Sequence, residues 1–408
     1  MNKEILFREL TLPNGQKIKN RFFKSAMNEA LSSRECEVTK EHIKLYETWA
    51  RGGVGLLISG NVMVDRAMLG EPGNVVVDEL TNPYMLADWA KAGKKNNAKM
   101  WLQLNHPGKQ SPKSITKEPV APSAIPLAEN VRSFFNDPRE LTNEEIKDII
   151  NKFINAAKIA EKAGFDGVQL HAAHGYLISQ FLSSADNVRT DEYGGSLENR
   201  MRFLLEIYQG IREVTKPNFA VGIKINSTDF KAGGFSEEDS LEVIKKLAEL
   251  NIDLIEISGG SYEKPRVDEV SDGEVFFLDF AKKVADLVST PIVLTGGFTK
   301  QSSMVEVLSE TNIAMVGIAR ALVQNPYLVN DIEYDNYMDI KLPRLTTKIK
   351  KLDQAIISYV AISYYEQQMA RIGKGMLPVW TTNAWSPLLN ALKRHGLAAV
   401  LPKRAKKK

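Results

Sequence analysis

The sequence predicts an α/β protein whose strands close into a (β/α)8 TIM barrel, and three observations carry that expectation. Eight short apolar runs recur along the chain, continuous rather than alternating, as strands buried on both faces are. Amphipathic segments such as EEIKDIINKFINAAKIAEKAG and SEEDSLEVIKKLAELN lie between them, with apolar residues every three or four positions. No GxGxxG turn follows the first run, although a doubly wound dinucleotide-binding sheet would place one there.

The elements follow in order. Strands are expected in FFKSAM (22–27), VGLLISG (54–60) and KMWLQLNH (99–106). Residues 107–141, PGKQSPKSITKEPVAPSAIPLAENVRSFFNDPREL, are rich in proline and serine and too long for an ordinary connection, which predicts a lid after strand 3. Five further strands are expected in GVQLHA (167–172), AVGIKIN (220–226), LIEISG (254–259), PIVLTGG (291–297) and AMVGIAR (314–320). The barrel domain is placed at 1–335. Residues 336–408 form a C-terminal extension in which KLDQAIISYVAISYYEQQMARIG reads as an amphipathic helix, followed by a tail with proline and tryptophan. The extension is expected to pack on the barrel or on a second subunit, which leaves a homo-oligomer open.

Composition excludes several classes of function. The single cysteine, Cys36, permits neither an internal disulfide framework nor a cysteine-ligated iron-sulfur cluster. MNKEILFREL has neither the apolar centre nor the cleavage site of a signal peptide, so a cytoplasmic location is expected. The longest apolar stretches, such as AIISYVAISYY, fall short of a membrane span. The net charge is only +3 and much of it sits in PKRAKKK, which reads as a solvated terminus and not as a nucleic-acid arm.

Barrel enzymes work at the carboxyl ends of their strands. Those ends carry Ser25 to Asn28, Gly60, Gln103, His106, His171, His174, Tyr176, Lys224, Gly296, Gly297 and Arg320, which describes one pocket. LTGGFT supplies glycines whose N–H groups can approach an anion, and Arg320 one strand later can fork onto it, so the last two strand ends are assigned to a phosphate. HAAHGY places two of the chain's five histidines three residues apart. Such a pair suits packed histidines or a shared zinc ion, but no third ligand and no HExxH pattern accompany it, so no metal is assigned.

From about Leu6 to Val329 the chain resembles the old yellow enzyme family of FMN-dependent ene-reductases. The resemblance rests on IKNRFFKSAM, ARGGVGLLISGNVMV, WLQLNHPGKQ, LTGGFT, MVGIARALVQNP and, most specifically, GFDGVQLHAAHGYLISQFLSSADNVRTDEYGGSLENRMRF. It implies non-covalent FMN with its phosphate at Gly296, Gly297, Ala319 and Arg320. It places Gln103 at the flavin pyrimidine edge, Lys224 near N1 and the C2 oxygen, and Ser25, Ala26, Met27, Asn28 and Gly60 along the ring. His171 and His174 are implied to bind a substrate carbonyl oxygen, and Tyr176 to give a proton to the α-carbon after hydride reaches the β-carbon.

Three departures from the family pattern stand out. Ala26, Met27 and Asn28 replace Pro-Leu-Thr or Pro-Met-Cys, so no thiol or hydroxyl tunes the flavin there, and the Asn28 amide is left to donate to C4 oxygen or N5. Lys224 replaces an arginine, keeping the charge and losing the planar fork. Ala319-Arg320 replaces Gly-Arg. With no cysteine cluster, electrons are expected directly from NADH or NADPH, and the partner is a small-molecule substrate. Two alternatives remain: a flavin-dependent dehydrogenase of amines or other small molecules, and a non-catalytic flavin-binding scaffold.

Overall fold

The computed structural model describes residues 2–260 and 275–395; the basic tail PKRAKKK lies outside them. Eight parallel strands form the barrel: β1 Phe22–Lys24, β2 Leu56–Met63, β3 Lys99–Asn105, β4 Gly167–Ala172, β5 Ala220–Asn226, β6 Leu254–Ser258, β7 Ile292–Thr295 and β8 Met315–Ile318. Each pairs with its neighbours in sequence, and β8 pairs with β1, so no edge is left open. Outside run α1 Lys40–Arg51, α2 Pro83–Gly93, α3 Asn143–Ala163, α4 Leu177–Leu182, α5 Leu197–Val214, α6 Glu237–Glu249, α7 Leu278–Leu287, α8 Gln301–Glu310, α9 Arg320–Gln324 and α10 Leu328–Glu333. The extension contributes α11 Lys350–Gly373 and α12 Trp385–His395. Among the described residues no helix is long and apolar enough to cross a membrane.

Local signals account for the helix ends. Thr142 caps α3 and Glu145 reaches back in a capping box, while Gly164 closes it in the left-handed conformation. Asn82 caps α2 with Pro83 as the next residue.

Strand parity sorts the side chains into two cores. Phe23, Leu56, Ile58, Trp101, Ala220, Leu254, Val293 and Met315 point inward and fill the lower barrel. Leu12 and Ile18, from a small hairpin, join that cluster, and Gln16 of the same hairpin accepts from Trp101 Nε1 at 3.1 Å. The alternate residues, among them Leu57, Leu102, Val168, Leu170, Ile223 and Ile255, pack under the helices. An apolar plug therefore closes one end of the barrel, and polar interior residues remain for the other.

Several strand limits differ from expectation. β1 stops at Lys24, and β7 and β8 end at Thr295 and Ile318, before the glycine and arginine segments. Gly296 and Gly297 take φ of 127° and 85°, which no strand ladder accommodates. β2 runs on to Met63 because a bulge between Ile58 and Asn61 absorbs an extra residue.

The segment after β3 is anchored. Val120–Ala121 pairs with Arg139–Glu140, and the buried Lys109 ammonium lies 2.8 Å from Asp186, which also bonds Lys231 at 2.7 Å. These bonds tie the lid's root to the connections after β4 and β5. In the extension, α11 packs on α1. Tyr364 accepts from Gln324 Nε2 at 3.0 Å and donates to the Val379 carbonyl at 2.9 Å. Glu366 reaches the segment after β1, where Asn28 Nδ2 donates to it at 3.1 Å.

Candidate active site

The polar end of the barrel is built by parity. Gln103 stands opposite Gln169 in the β3–β4 register, and Lys224 stands opposite His171 on one side and Glu256 on the other. Their side chains form a continuous chain: Gln103 Nε2 donates to Gln169 Oε1 at 2.8 Å, and Gln169 Nε2 to Glu256 Oε2 at 2.8 Å. Thr295 Oγ1 donates to Glu256 Oε1 at 2.8 Å and meets Ser25 Oγ at 2.8 Å. Lys224 Nζ sits 3.1 Å from Glu256 Oε1, with both groups buried. The lysine brought here on sequence grounds thus has a carboxylate partner, without which a buried charge would be costly.

Gln169 and Glu256 were not selected from the sequence. The available signal was a polar residue two positions before His171 in GVQLHA and two before Ser258 in LIEISG, each on the interior parity of an otherwise apolar run.

The HAAHGY segment leaves the barrel by a tight turn, with His174 at φ 59° and Gly175 at 77°. The turn is held by His174 N–H donating to Asn226 Oδ1 at 3.3 Å. It folds three rings together: His171 and His174 have centroids 5.1 Å apart at 77°, and His171 and Tyr176 are 4.7 Å apart at 80°. His171 Nδ1 accepts the Ala173 N–H at 3.3 Å, which leaves the neutral ring's proton on Nε2 as a donor. His174 Nε2 is 2.8 Å from Ser258 Oγ. Burial, then His174 and Lys224, holds the His171 pKa well below its ordinary value; burial, then Lys224, lowers His174 to about 3. Both imidazoles are neutral at pH 7, so they offer N–H groups without charge.

A pH dependence follows. The unfolded chain takes up protons on these rings as the pH falls below about 6.5, whereas the folded protein resists until much lower values. Stability from neutral burial is therefore present above pH 6.5 and lost progressively towards pH 3. Thermal denaturation is expected to shift downward between pH 7 and 4.5, with a shallower slope in His174→Asn. A slope unchanged by that substitution would count against the buried neutral ring.

His106 does not join the pocket. Its parity matches Leu102 and Leu104, which face the helices, and its surroundings include Asp65 and Lys152. Its Nδ1 accepts the Gly108 N–H at 3.1 Å, and burial lowers its pKa to about 4 despite Asp65.

The segment after β1 carries Ser25, Ala26, Met27 and Asn28. Asn28 Nδ2 donates to Glu71 at 2.8 Å and to Glu366 at 3.1 Å, and its Oδ1 accepts from Asn74 at 2.7 Å. Both amide hydrogens are thereby directed to carboxylates in this structure. Gly60 N–H donates to Glu29 Oε1 at 2.7 Å, and a Cβ there would lie 2.2 Å from the Met27 backbone carbonyl oxygen, so only glycine fits. Glu29 also accepts from the Tyr46 hydroxyl, whose oxygen accepts from Lys24 Nζ at 3.0 Å. This network fixes the segment beside Gly60 and was not anticipated, because Glu29 and Tyr46 come from separate elements.

Gly296 and Gly297 follow β7, while Ala319 and Arg320 follow β8, its neighbour in the sheet. Gly296 and Gly297 have positive φ, which leaves their backbone without a side chain to cover it, and Arg320 opens the helix after the neighbouring strand. That donor set suits a phosphate, and the polar interior beside it suits the amide edge of a flavin. Tyr365 of α11 lies close enough to Arg320 for the guanidinium to oppose the upward push of burial on the phenol.

The barrel is closed and eight-stranded, and its polar end gathers Gln103, His171 and Lys224. Residues 5–339 match the NADH:flavin oxidoreductase / NADH oxidase family, and the chain belongs to it. It is 40% identical over 335 residues to an NADH-dependent flavin oxidoreductase of Aspergillus parasiticus, an alignment covering 77% of this chain and 74% of that one. A solved 2-naphthoyl-CoA reductase is similar with a TM-score of 0.76 at 27% identity, over 82% of this chain and 53% of its own. Histamine dehydrogenase from Rhizobium sp. 4-9 matches with a TM-score of 0.75 at 25% identity, over 95% of this chain and 53% of its own. The chain spans about half the length of these two structures. The protein is an FMN-dependent enzyme that draws electrons from NADH or NADPH.

Proposed function

We propose that the protein reduces the C=C bond of α,β-unsaturated carbonyl compounds. The observation that carries this reading is the neutral His171–His174 pair, 5.1 Å apart and beside Tyr176 and Lys224. In this reading Gly296, Gly297, Ala319 and Arg320 hold the FMN phosphate, and Gln103 and Lys224 meet the ring's polar edge. Bound FMN supplies hydride exchange between the nicotinamide and the alkene. The two histidines donate to the carbonyl oxygen, on which negative charge grows as hydride arrives, and preorganised donors stabilise it there. Tyr176 supplies the proton to the α-carbon. A cytoplasmic location belongs to the proposal, since the nicotinamide donor is abundant there.

The test is anaerobic: the yellow protein is bleached by NADH or NADPH, and recovery of its absorbance is followed on adding an enone. No recovery with enones of varied size would sink the reading. A second reading, amine oxidation, is favoured by one observation, the histamine dehydrogenase likeness that extends over 95% of the chain. Against it, a protonated amine would meet neutral imidazoles and a buried lysine. Bleaching of the oxidised protein by amines alone would decide for it.

Arg320→Ala is expected to weaken FMN retention by about tenfold or more, since a charge-assisted fork to phosphate is lost. Chemistry in the FMN-saturated variant should change little. Equilibrium dialysis measures the first, and an unaltered Kd would remove Arg320 from the phosphate site.

A further inference from the structure

We infer that Asn61 is a positioning residue for proton delivery: its amide donates to the Tyr176 phenol oxygen and steadies that oxygen as its proton leaves. The inference rests on the reading of Tyr176 as the proton donor. Asn61 Nδ2 lies 3.3 Å from the phenol oxygen, and Asn105 Nδ2 donates to Asn61 Oδ1 at 3.3 Å. With its carbonyl taken by Asn105, the Asn61 amide presents its N–H to the tyrosine.

The backbone supplies the aim. Ile58 pairs with Trp101 and Asn61 with Gln103, so β2 advances three residues where β3 advances two. Without that extra residue, Asn61 would share the side of Leu57, facing the helices. The bulge flips it to the interior side with Gln103. Ser59 Oγ accepts the Gln103 N–H at 2.8 Å and so repairs the interrupted ladder. Bulges commonly re-aim a side chain next to an active site. Asn105 reaches the same interior side two positions beyond Gln103, and both side chains of the relay are buried or half-buried.

The chemistry balances as follows. FMN, when bound and reduced, would supply a hydride to the β-carbon, with the alkene electrons moving to the α-carbon and the carbonyl. The Tyr176 O–H bond breaks, its proton bonds the α-carbon, and a phenolate remains until water reprotonates it. A hydrogen bond to the charged form lowers a pKa. Asn61 therefore makes Tyr176 a stronger acid at the moment of transfer, and occupies a lone pair of the oxygen so that the phenol hydrogen points elsewhere.

The experiment is stopped-flow kinetics on the FMN-loaded Asn61→Leu and Asn61→Asp enzymes, alone and combined with Tyr176→Phe. Reduction by NAD(P)H should stay within about twofold, while reoxidation by an enone slows about tenfold in Asn61→Leu. The alkaline limb of the reoxidation profile should move to higher pH, further in Asn61→Asp, whose carboxylate repels a phenolate. In the Tyr176→Phe background, Asn61→Leu should add nothing. Equal slowing in that background, an unmoved alkaline limb, or a faster Asn61→Leu enzyme would overturn the inference; the last would mean that the amide holds the proton back. Tyr176→Phe without any effect would remove the proton-donor reading itself, and Asn61 with it. Full loss in Tyr176→Phe with none in either Asn61 variant would remove Asn61 alone.

Discussion

Tyr176→Phe is expected to slow reoxidation by an enone by roughly 10²- to 10⁴-fold, the range of general acid catalysis, while flavin reduction by NAD(P)H stays nearly intact. The reductive half-reaction draws no proton from the phenol, so the two steps separate cleanly. Nitroalkenes should lose less, because hydride transfer to them ends in a stabilised nitronate that water protonates later. Stopped-flow traces of both half-reactions measure this. Equal loss in both would make Tyr176 a packing residue, consistent with its 4.7 Å contact to His171 and nothing more. No loss in either would assign the proton to solvent.

Replacing both His171 and His174 with alanine is expected to cost reoxidation by enones at least about 10²-fold, the usual effect of losing one such donor. FMN should remain bound, since the proposed phosphate contacts lie at the ends of β7 and β8. Phenol-type ligands, which place an oxyanion where the enolate forms, should lose their long-wavelength charge-transfer band. An intact band in the double variant would show that the carbonyl oxygen sits elsewhere. The single variants are informative as a pair. His171 carries its donor on Nε2, set by the Ala173 N–H, whereas the His174 ring is set by Ser258, so Ser258→Ala should mimic part of the His174 loss.

Most of the barrel was legible in the sequence because buried parallel strands have to be continuous apolar runs, and all eight runs became strands. Proximity was legible where a motif fixed a residue on a strand, as with His171 and Lys224, which the register sets opposite each other. It was less so where function depends on parity. Gln169 and Glu256 sit inside the runs, and only the closed barrel makes their inward side polar. Asn61 could not be placed, because counting by twos from Leu56 assigns it to the helices and nothing in SGN announces an extra residue in the ladder. The bonding of Asn28 was not legible for another reason. Its partners, Glu71 and Glu366, lie 43 and 338 residues away, and a bond spanning that distance leaves no local trace.

The seating of α11 has a thermodynamic consequence. Glu366 holds Asn28, Tyr364 holds Gln324 at the end of the helix that Arg320 begins, and Tyr365 lies near Arg320 itself. In the proposed site these are two of the segments that grip the cofactor, one at the ring and one at the phosphate. If those segments hold FMN, docking of the extension and occupancy by the cofactor would be linked, each raising the equilibrium constant of the other by the same factor. Saturating FMN would then add to the extension's attachment, and a loosened extension would weaken cofactor binding in equal measure. A helix outside the barrel would thus be a second determinant of how tightly the enzyme keeps its yellow cofactor.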